Sequence, residues 1–529
     1  MGAASRPETD MGADDVNSIE SHHHQYYHDG ELRAKEKGAT DIDGEDMSRM
    51  GKRQELRRNF KFLGIVGFVT ILQATWENIL LSNYMGLFNG GRGGVIWCTI
   101  AVWLLMLCMI ASLAEMASMA PTSGGQYHWV SEFAPRRFQE PLSYVVGWCC
   151  CLGWITGVPS CCQQLAGMVT GLITLVNPNA DVDQLWQVTL LIYAFIALSV
   201  AFNIFFAQHL PLAEGIILFV HVFGFFVFLL AFWIMGDHAS ASDVFTTFHD
   251  GGGWGNIGLS CLVGLATPVW CFIGPDAGAH MSEELKDASV QLPKAMVWAT
   301  VLNGILGITM LITFCILADK SSFPVVDVIQ SATGSYAATC VLGSLLIVLV
   351  FFSTVTTIAS ASRQVWAFSR DRGFPFSSWI RYVAPEYEVP VNSLLVVMGG
   401  SMIIAAINFG SDVAFSAVVG LSNAALAFTY IISVGCIRLK RLRGEPLLPR
   451  SFSLGKFGGP INDITLVFLV IIFIFSFFPE SPSVGDAEWA VNFNWASVMF
   501  SGTCILALAY YVLGGGRTYV APVELVKQE

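Results

Sequence analysis

Windows of roughly 20 apolar residues, the length that crosses the ~30 Å hydrocarbon core of a bilayer as a helix, follow one another from Phe62 almost to the end of this 529-residue chain. They fall at 62–86, 94–119, 142–173, 186–206, 212–235, 256–281, 293–318, 335–368, 391–408, 413–436, 462–478 and 494–513. The chain is 54% hydrophobic and only 13% charged, against about 25% charged in soluble domains. The runs are continuously apolar instead of alternating residue by residue, which excludes a membrane β-barrel. The expected fold is all-α: a polytopic membrane protein of about twelve transmembrane helices in the lipid bilayer.

Basic residues sort the loops into two sets. Lys52, Arg53, Arg57, Arg58 and Lys61 precede the first window, and Arg136, Arg137, Lys286, Lys294, Arg370, Arg372, Arg381 and a cluster from Arg438 to Lys456 lie in every second loop thereafter. The opposite loops hold only Arg92 and Lys320. Positive residues stay cytoplasmic, so both termini are expected in the cytoplasm. Residues 1–58 are polar and lack an apolar run of signal-peptide length, and they read as a disordered cytoplasmic tail, with 516–529 as a second one. The stretch "SHHHQYYH" from Ser21 reads as solvated low complexity in preference to a metal tract. The formal charge of −12 arises partly from that acidic head and the outward loops, and does not suggest a nucleic-acid partner. All 13 cysteines fall inside the apolar windows, where a thiol behaves as a small apolar side chain. Neither a disulfide framework, a metal site nor a cofactor is expected.

Two windows are interrupted. The first carries Thr75, Trp76, Glu77 and Asn78 near its middle, where an ionised group costs at least ~2.5–3.5 kcal/mol. In the sixth, Pro268 lacks an amide donor, Gly274 and Pro275 break the helical ladder, and Asp276 follows at once. Irregular backbone at bilayer depth is tolerated only where it is buried in protein or lines a cavity. Paired interruptions about 200 residues apart are the pattern of a transporter whose two repeats place a substrate site at the midplane. The repeats are expected over about 60–235 and 256–437, inverted because each holds an odd number of helices, with helices 11 and 12 over about 462–513.

Three segments carry a family resemblance. "SLAEMASMAPTSGGQYHWV" from Ser112, "FIGPDAGAHMSEELKDASVQLPKAM" from Phe272 and "FSRDRGFPFSSW" from Phe368 resemble the signatures of the amino acid/polyamine/organocation superfamily, and more narrowly its fungal amino acid, GABA and choline permeases. The resemblance covers about 60–515. It implies a 5+5 inverted repeat, broken helices 1 and 6 that hold substrate between them, alternating access driven by an ion gradient, and a plasma-membrane location. It also makes the turn at Gly124 and Gly125 a structural hairpin. The chain departs from the glycine-rich break of many relatives by carrying Ala74 to Asn78 in its place.

The expected substrate contacts are Thr75, Trp76, Glu77 and Asn78 on one break and Trp270, Phe272, Ile273, Gly274 and Asp276 on the other. A carboxylate beside indoles suits a small amine or amino acid such as choline or GABA. Asp276 has a second reading, as cap of the half-helix that follows it. His221, mid-way through the fifth window, is a candidate with Glu77 for carrying a coupling proton, the expected coupling ion. Ser353, Thr354, Thr356 and Thr357 are a weaker candidate set for sodium, because such hydroxyls more often bond backbone carbonyls. Arg363 needs a partner; Glu115, Glu283 and Glu284 are candidates, and the pair is expected to gate the cytoplasmic side. Scattered polar residues argue against an enzyme, and the lack of a pore loop or charge rings argues against a channel. A nutrient sensor of the same fold remains the alternative to a transporter.

Overall fold

A computed structural model describes residues 35–317, 325–482 and 493–525, so the histidine-rich stretch from Ser21 lies outside the described residues. Among the described residues, twelve helices long and apolar enough to span a membrane run from Phe62–Ser82 to Ala496–Glu524, and each overlaps one of the expected windows. Helix is the dictated choice, because in hydrocarbon every backbone amide and carbonyl must find its partner within the segment. Among the described residues there is no strand, only the isolated bridges Phe60–Leu285 and Ala384–Val389. The protein is an integral, multi-pass membrane protein.

The elements that build the site are α1 (Asp41–Arg49), α2 (Phe62–Gln73), α3 (Thr75–Ser82), α4 (Gly91–Met119), α5 (Gln126–Phe133), α6 (Gln139–Val176), α7 (Leu185–Phe205) and α8 (Leu210–Met235). They continue with α9 (Ala266–Phe272), α10 (Ala277–His280), α11 (Ala288–Leu317), α12 (Tyr336–Arg370) and α13 (Asp412–Leu442). Helices α2 and α3 are the halves of the first span, and α9 and α10 those of the sixth. The first break is a single residue, Ala74, in the left-handed region at φ 37°. In the sixth, Ile273 is extended and Gly274 adopts φ +97° ahead of Pro275, a conformation open to glycine without strain.

Residues 35–58, expected as part of a disordered tail, are folded instead. Thr40 and Asp43 form a reciprocal capping box at the start of α1, and Met47, Met50 and Leu56 are buried in the main core. Asp43, wholly buried, accepts from the amides of Asp287 and Ala288 at 3.1 Å and pairs with Arg58 at 3.1 Å. Phe60 exchanges backbone hydrogen bonds with Glu284 and Lys286. The C-terminal segment reaches the same end of the bundle, where the Val520 amide donates to the Asp371 carbonyl.

Candidate functional site

The two breaks touch. Gln73 Nε2 donates to the Phe272 carbonyl and Thr75 Oγ1 to the Cys271 carbonyl, both at 2.9 Å. A helix that stops leaves its last carbonyls without intrahelical donors, and side chains supply them here. Asn78 Nδ2 donates to Gln73 O at 2.8 Å, Ser353 Oγ to Leu72 O at 2.9 Å, and Asn303 Nδ2 to Thr70 O at 3.1 Å. The remaining hydroxyls of the sodium candidate set, Thr354, Thr356 and Thr357, donate to carbonyls of their own helix α12. All four hydroxyls therefore serve backbone carbonyls.

Beside this contact lies a cavity of about 40 Å³, room for a few waters at about 10–15 Å³ each. Its walls are Leu72, Gln73 and Asn78 from the first break, Trp270, Ile273 and Gly274 from the sixth, Gly153, Trp154, Gly157 and Cys161 from α6, Thr357 from α12, and Ser422 and Leu426 from α13. No acidic side chain is among them. Negative potential comes instead from the C-terminal ends of α2 and α9, which both stop at this wall. The Asn78 Oδ1 atom is buried without a partner. A space this small has room for a few waters and no larger solute.

Of the expected contacts, Asn78, Trp270, Ile273 and Gly274 line the cavity, whereas Thr75 bonds the Cys271 carbonyl and the Phe272 carbonyl accepts from Gln73. Trp76 and Glu77 are absent from the walls. The left-handed turn at Ala74 directs them to α8, where the Trp76 ring packs on His221, Phe225 and Phe228 with centroids at 5.8, 6.3 and 5.3 Å. Glu77 Oε1 lies 2.6 Å from His221 Nδ1, both side chains wholly buried. Asp276 makes no capping bond; its oxygens accept from Gln126 Nε2 and the Tyr430 hydroxyl, and His280 Nε2 stands 3.5 Å away. Those partners hold it outside the cavity. Gln73 and Trp154 were not singled out by sequence reasoning, although Gln73 is a polar residue in an otherwise apolar run directly before the break.

One end of the bundle is closed by ion pairs. Arg363 Nε lies 2.7 Å from Glu284 Oε1, while Arg370 grips both oxygens of Glu283 at 2.7 Å. Burial alone pushes the Glu283 carboxyl up, but Arg370 and the Ser123 amide bring it below the usual range. Glu115 is not a partner of Arg363: Arg441 in the last turn of α13 and Arg450 in the loop that follows take it. Lys52, buried, pairs with Asp371, which also accepts from the Tyr127 hydroxyl at 2.9 Å. Burial draws the Lys52 ammonium below its ordinary value, with Asp371 opposing.

The model of the amino acid permease family matches residues 63–508 of this chain. The chain belongs to the amino acid permease family. The permease is 27% identical to an uncharacterized amino-acid permease of Schizosaccharomyces pombe, over 91% of this chain and 86% of that protein. It is 26% identical to the choline transporter of Saccharomyces cerevisiae (94% and 89% covered). It is 27% identical to that yeast's GABA-specific permease (93% and 88% covered).

Proposed function

We propose that this permease is a secondary active transporter that moves a small amine or amino acid, of the class of choline, GABA or another amino acid, by alternating access coupled to protons. The observation that carries the reading is the bonded pair of breaks, Gln73 to Phe272 and Thr75 to Cys271, beside an enclosed cavity. In this reading the ammonium of the substrate sits against the indole faces of Trp154 and Trp270, each contact contributing roughly 0.5–2 kcal/mol when desolvated. The carbonyl ends of α2 and α9 supply the negative potential that no carboxylate supplies at the wall. Glu77 and His221 act together as the proton-carrying pair behind the first break. Separation of the Glu283–Arg370 and Glu284–Arg363 contacts opens the cytoplasmic side, with both termini in the cytoplasm and the plasma membrane as location.

Uptake of labelled choline, GABA, basic and neutral amino acids and polyamines, measured at two pH values in cells lacking their own permeases, tests this. Saturable uptake of one of them, greater at the lower external pH, is expected. A protein present at the cell surface that accumulates none of them would overturn the transporter reading in favour of a sensor.

A further inference from the structure

The fifth span holds one acidic residue, which is not part of the pair already described. Glu214 lies on α8, is wholly buried, and neither carboxylate oxygen has a partner. An unpaired carboxylate held in a low-dielectric interior is stable only when it keeps its proton. Seven residues separate Glu214 from His221, two helical turns or about 10.5 Å along one face of α8. The ring atom of His221 that faces away from Glu77, Nε2, is likewise buried without a partner. Across from Glu214 stands Gly67 on α2, where a Cβ would come within 2.9 Å of the Glu214 carbonyl, so the two helices meet backbone to backbone. One turn further along α2, the buried Thr70 hydroxyl also lacks a partner.

Among the described residues, nothing else near α8 neutralises this carboxyl. Helix α2 contains no titratable side chain. On α12 the only charged residues, Arg363 and Arg370, are taken by Glu284 and Glu283. Lys294 on α11, Asp327 on the short helix Val325–Thr333 and His209 in the turn before α8 are exposed. Among the described residues only His221 and its partner Glu77 share the buried face. Glu214 sits in the second turn of α8, near where Pro211 meets Gly64, and so toward the end of the bundle that holds residues 41–58.

We propose that Glu214 is a second proton-binding carboxyl of this transporter, the relay between the His221–Glu77 pair and the end of the bundle where α1 docks. It rests on the proton-coupled reading given above. When α2 and α8 part and admit water, doubly protonated His221 gives the Nε2 proton through that water to the ionised Glu214. Imidazole is left neutral and still bonded to Glu77 through Nδ1, and the carboxyl becomes an acid. Closure around Glu214 then stores the proton until that end opens and the acid ionises again.

The test is the pH-difference infrared spectrum of the purified full-length protein in lipid nanodiscs, run alongside uptake of labelled choline and labelled GABA at two external pH values. Native protein is expected to show a protonated-carboxyl C=O band that is missing from Glu214→Gln, shifted in Glu214→Asp, and retained in Glu77→Gln. Uptake by Glu214→Gln is expected to lose its rise at low external pH. A band unchanged by Glu214→Gln, or a band lost with the pH response of uptake intact, overturns the relay and leaves Glu77 and His221 to be judged by their own variants. Native uptake indifferent to pH overturns the proton-coupled reading itself, and the relay with it. If Glu214→Gln does not fold, the frequency shift and pH response of Glu214→Asp decide in the same way.

Discussion

His221 Nδ1 faces Glu77 Oε1 at 2.6 Å with neither side chain touched by solvent, so the single acidic residue of the first span has its partner on the fifth. Between them the two groups can hold one proton or two without exposing charge to lipid. Removing one partner of such a buried pair typically costs about 3–5 kcal/mol, whereas an isosteric amide keeps the hydrogen bond and deletes only the titration. Glu77→Gln is therefore expected to reach the cell surface and to lose at least ~10-fold in uptake, equivalent to 1.4 kcal/mol, together with the response to external pH. Uptake and surface labelling of the same cells check this, and native-like transport removes the pair from coupling.

If the indoles hold an ammonium, Trp154→Ala is expected to raise the KM for the transported cation by roughly 2- to 30-fold, the range given by 0.5–2 kcal/mol. Trp154→Phe, which keeps an aromatic face, is expected to fall between it and the native protein. An unchanged KM in Trp154→Ala places the ammonium elsewhere in the cavity.

The Glu283–Arg370 contact makes a prediction about pH that separates it from the proton pair. A carboxylate held below its unfolded value, about 4.3 for glutamate, contributes stability that is present above that value and is lost as pH falls through the folded one. Melting temperature measured from about pH 5 to pH 8 is thus expected to be insensitive to this contact, and its loss to appear only in more acidic solution. Single charge reversals at Glu283 or Arg370 are expected to destabilise by about 3–5 kcal/mol, with partial recovery in the double swap. No recovery would mean that the surrounding amides of Ser123 and the Trp366 ring, over which Arg370 lies at 4.4 Å, decide the site and not the pair.

Much of the scaffold was legible because hydrocarbon leaves so few choices: apolar windows give the spans, and Gly274 with Pro275 announces its own break. The first break was legible only as a region. The polar residues Thr75 through Asn78 mark the interrupted stretch, yet the left-handed turn itself falls one residue before them, at Ala74, whose backbone carries no mark in the sequence. That one-residue difference sets the helical phase that sends Trp76 and Glu77 to α8 and leaves Asn78 at the cavity. His221 and Glu77 were each recognisable as costly buried groups, but 144 positions separate them, and only packing shows that they answer each other. The same limit holds for the ion pairs: Glu284 is among the candidates for Arg363, whereas Glu115 is satisfied by arginines more than 300 positions away.

The two break residues respond oppositely to substitution. Gly274→Ala imposes a side chain at φ +97° and brings its Cβ to 3.0 Å from a Leu72 methyl, and strain of about 1–3 kcal/mol is expected, read as a lower melting temperature and reduced uptake. Ala74→Gly relieves a left-handed alanine, worth about 1–2 kcal/mol, against about 0.4–1 kcal/mol of added freedom in the unfolded chain. Its melting temperature is expected to be equal to or above that of the native protein, and a marked drop would show that the Ala74 methyl itself is needed.

Phe60 is joined by main-chain bonds to the strand of residues that trails the sixth span, and the Arg58 guanidinium closes on the carbonyls of Ser282 and Leu285 nearby. The leader ahead of the first span is thus tied to the segment that follows the second half of the sixth span. A tug, a bulky adduct or a protease cut upstream of Phe60 is therefore transmitted to residues 282–286 behind the sixth-span break, which, on the alternating-access proposal, makes the leader a handle on turnover rate.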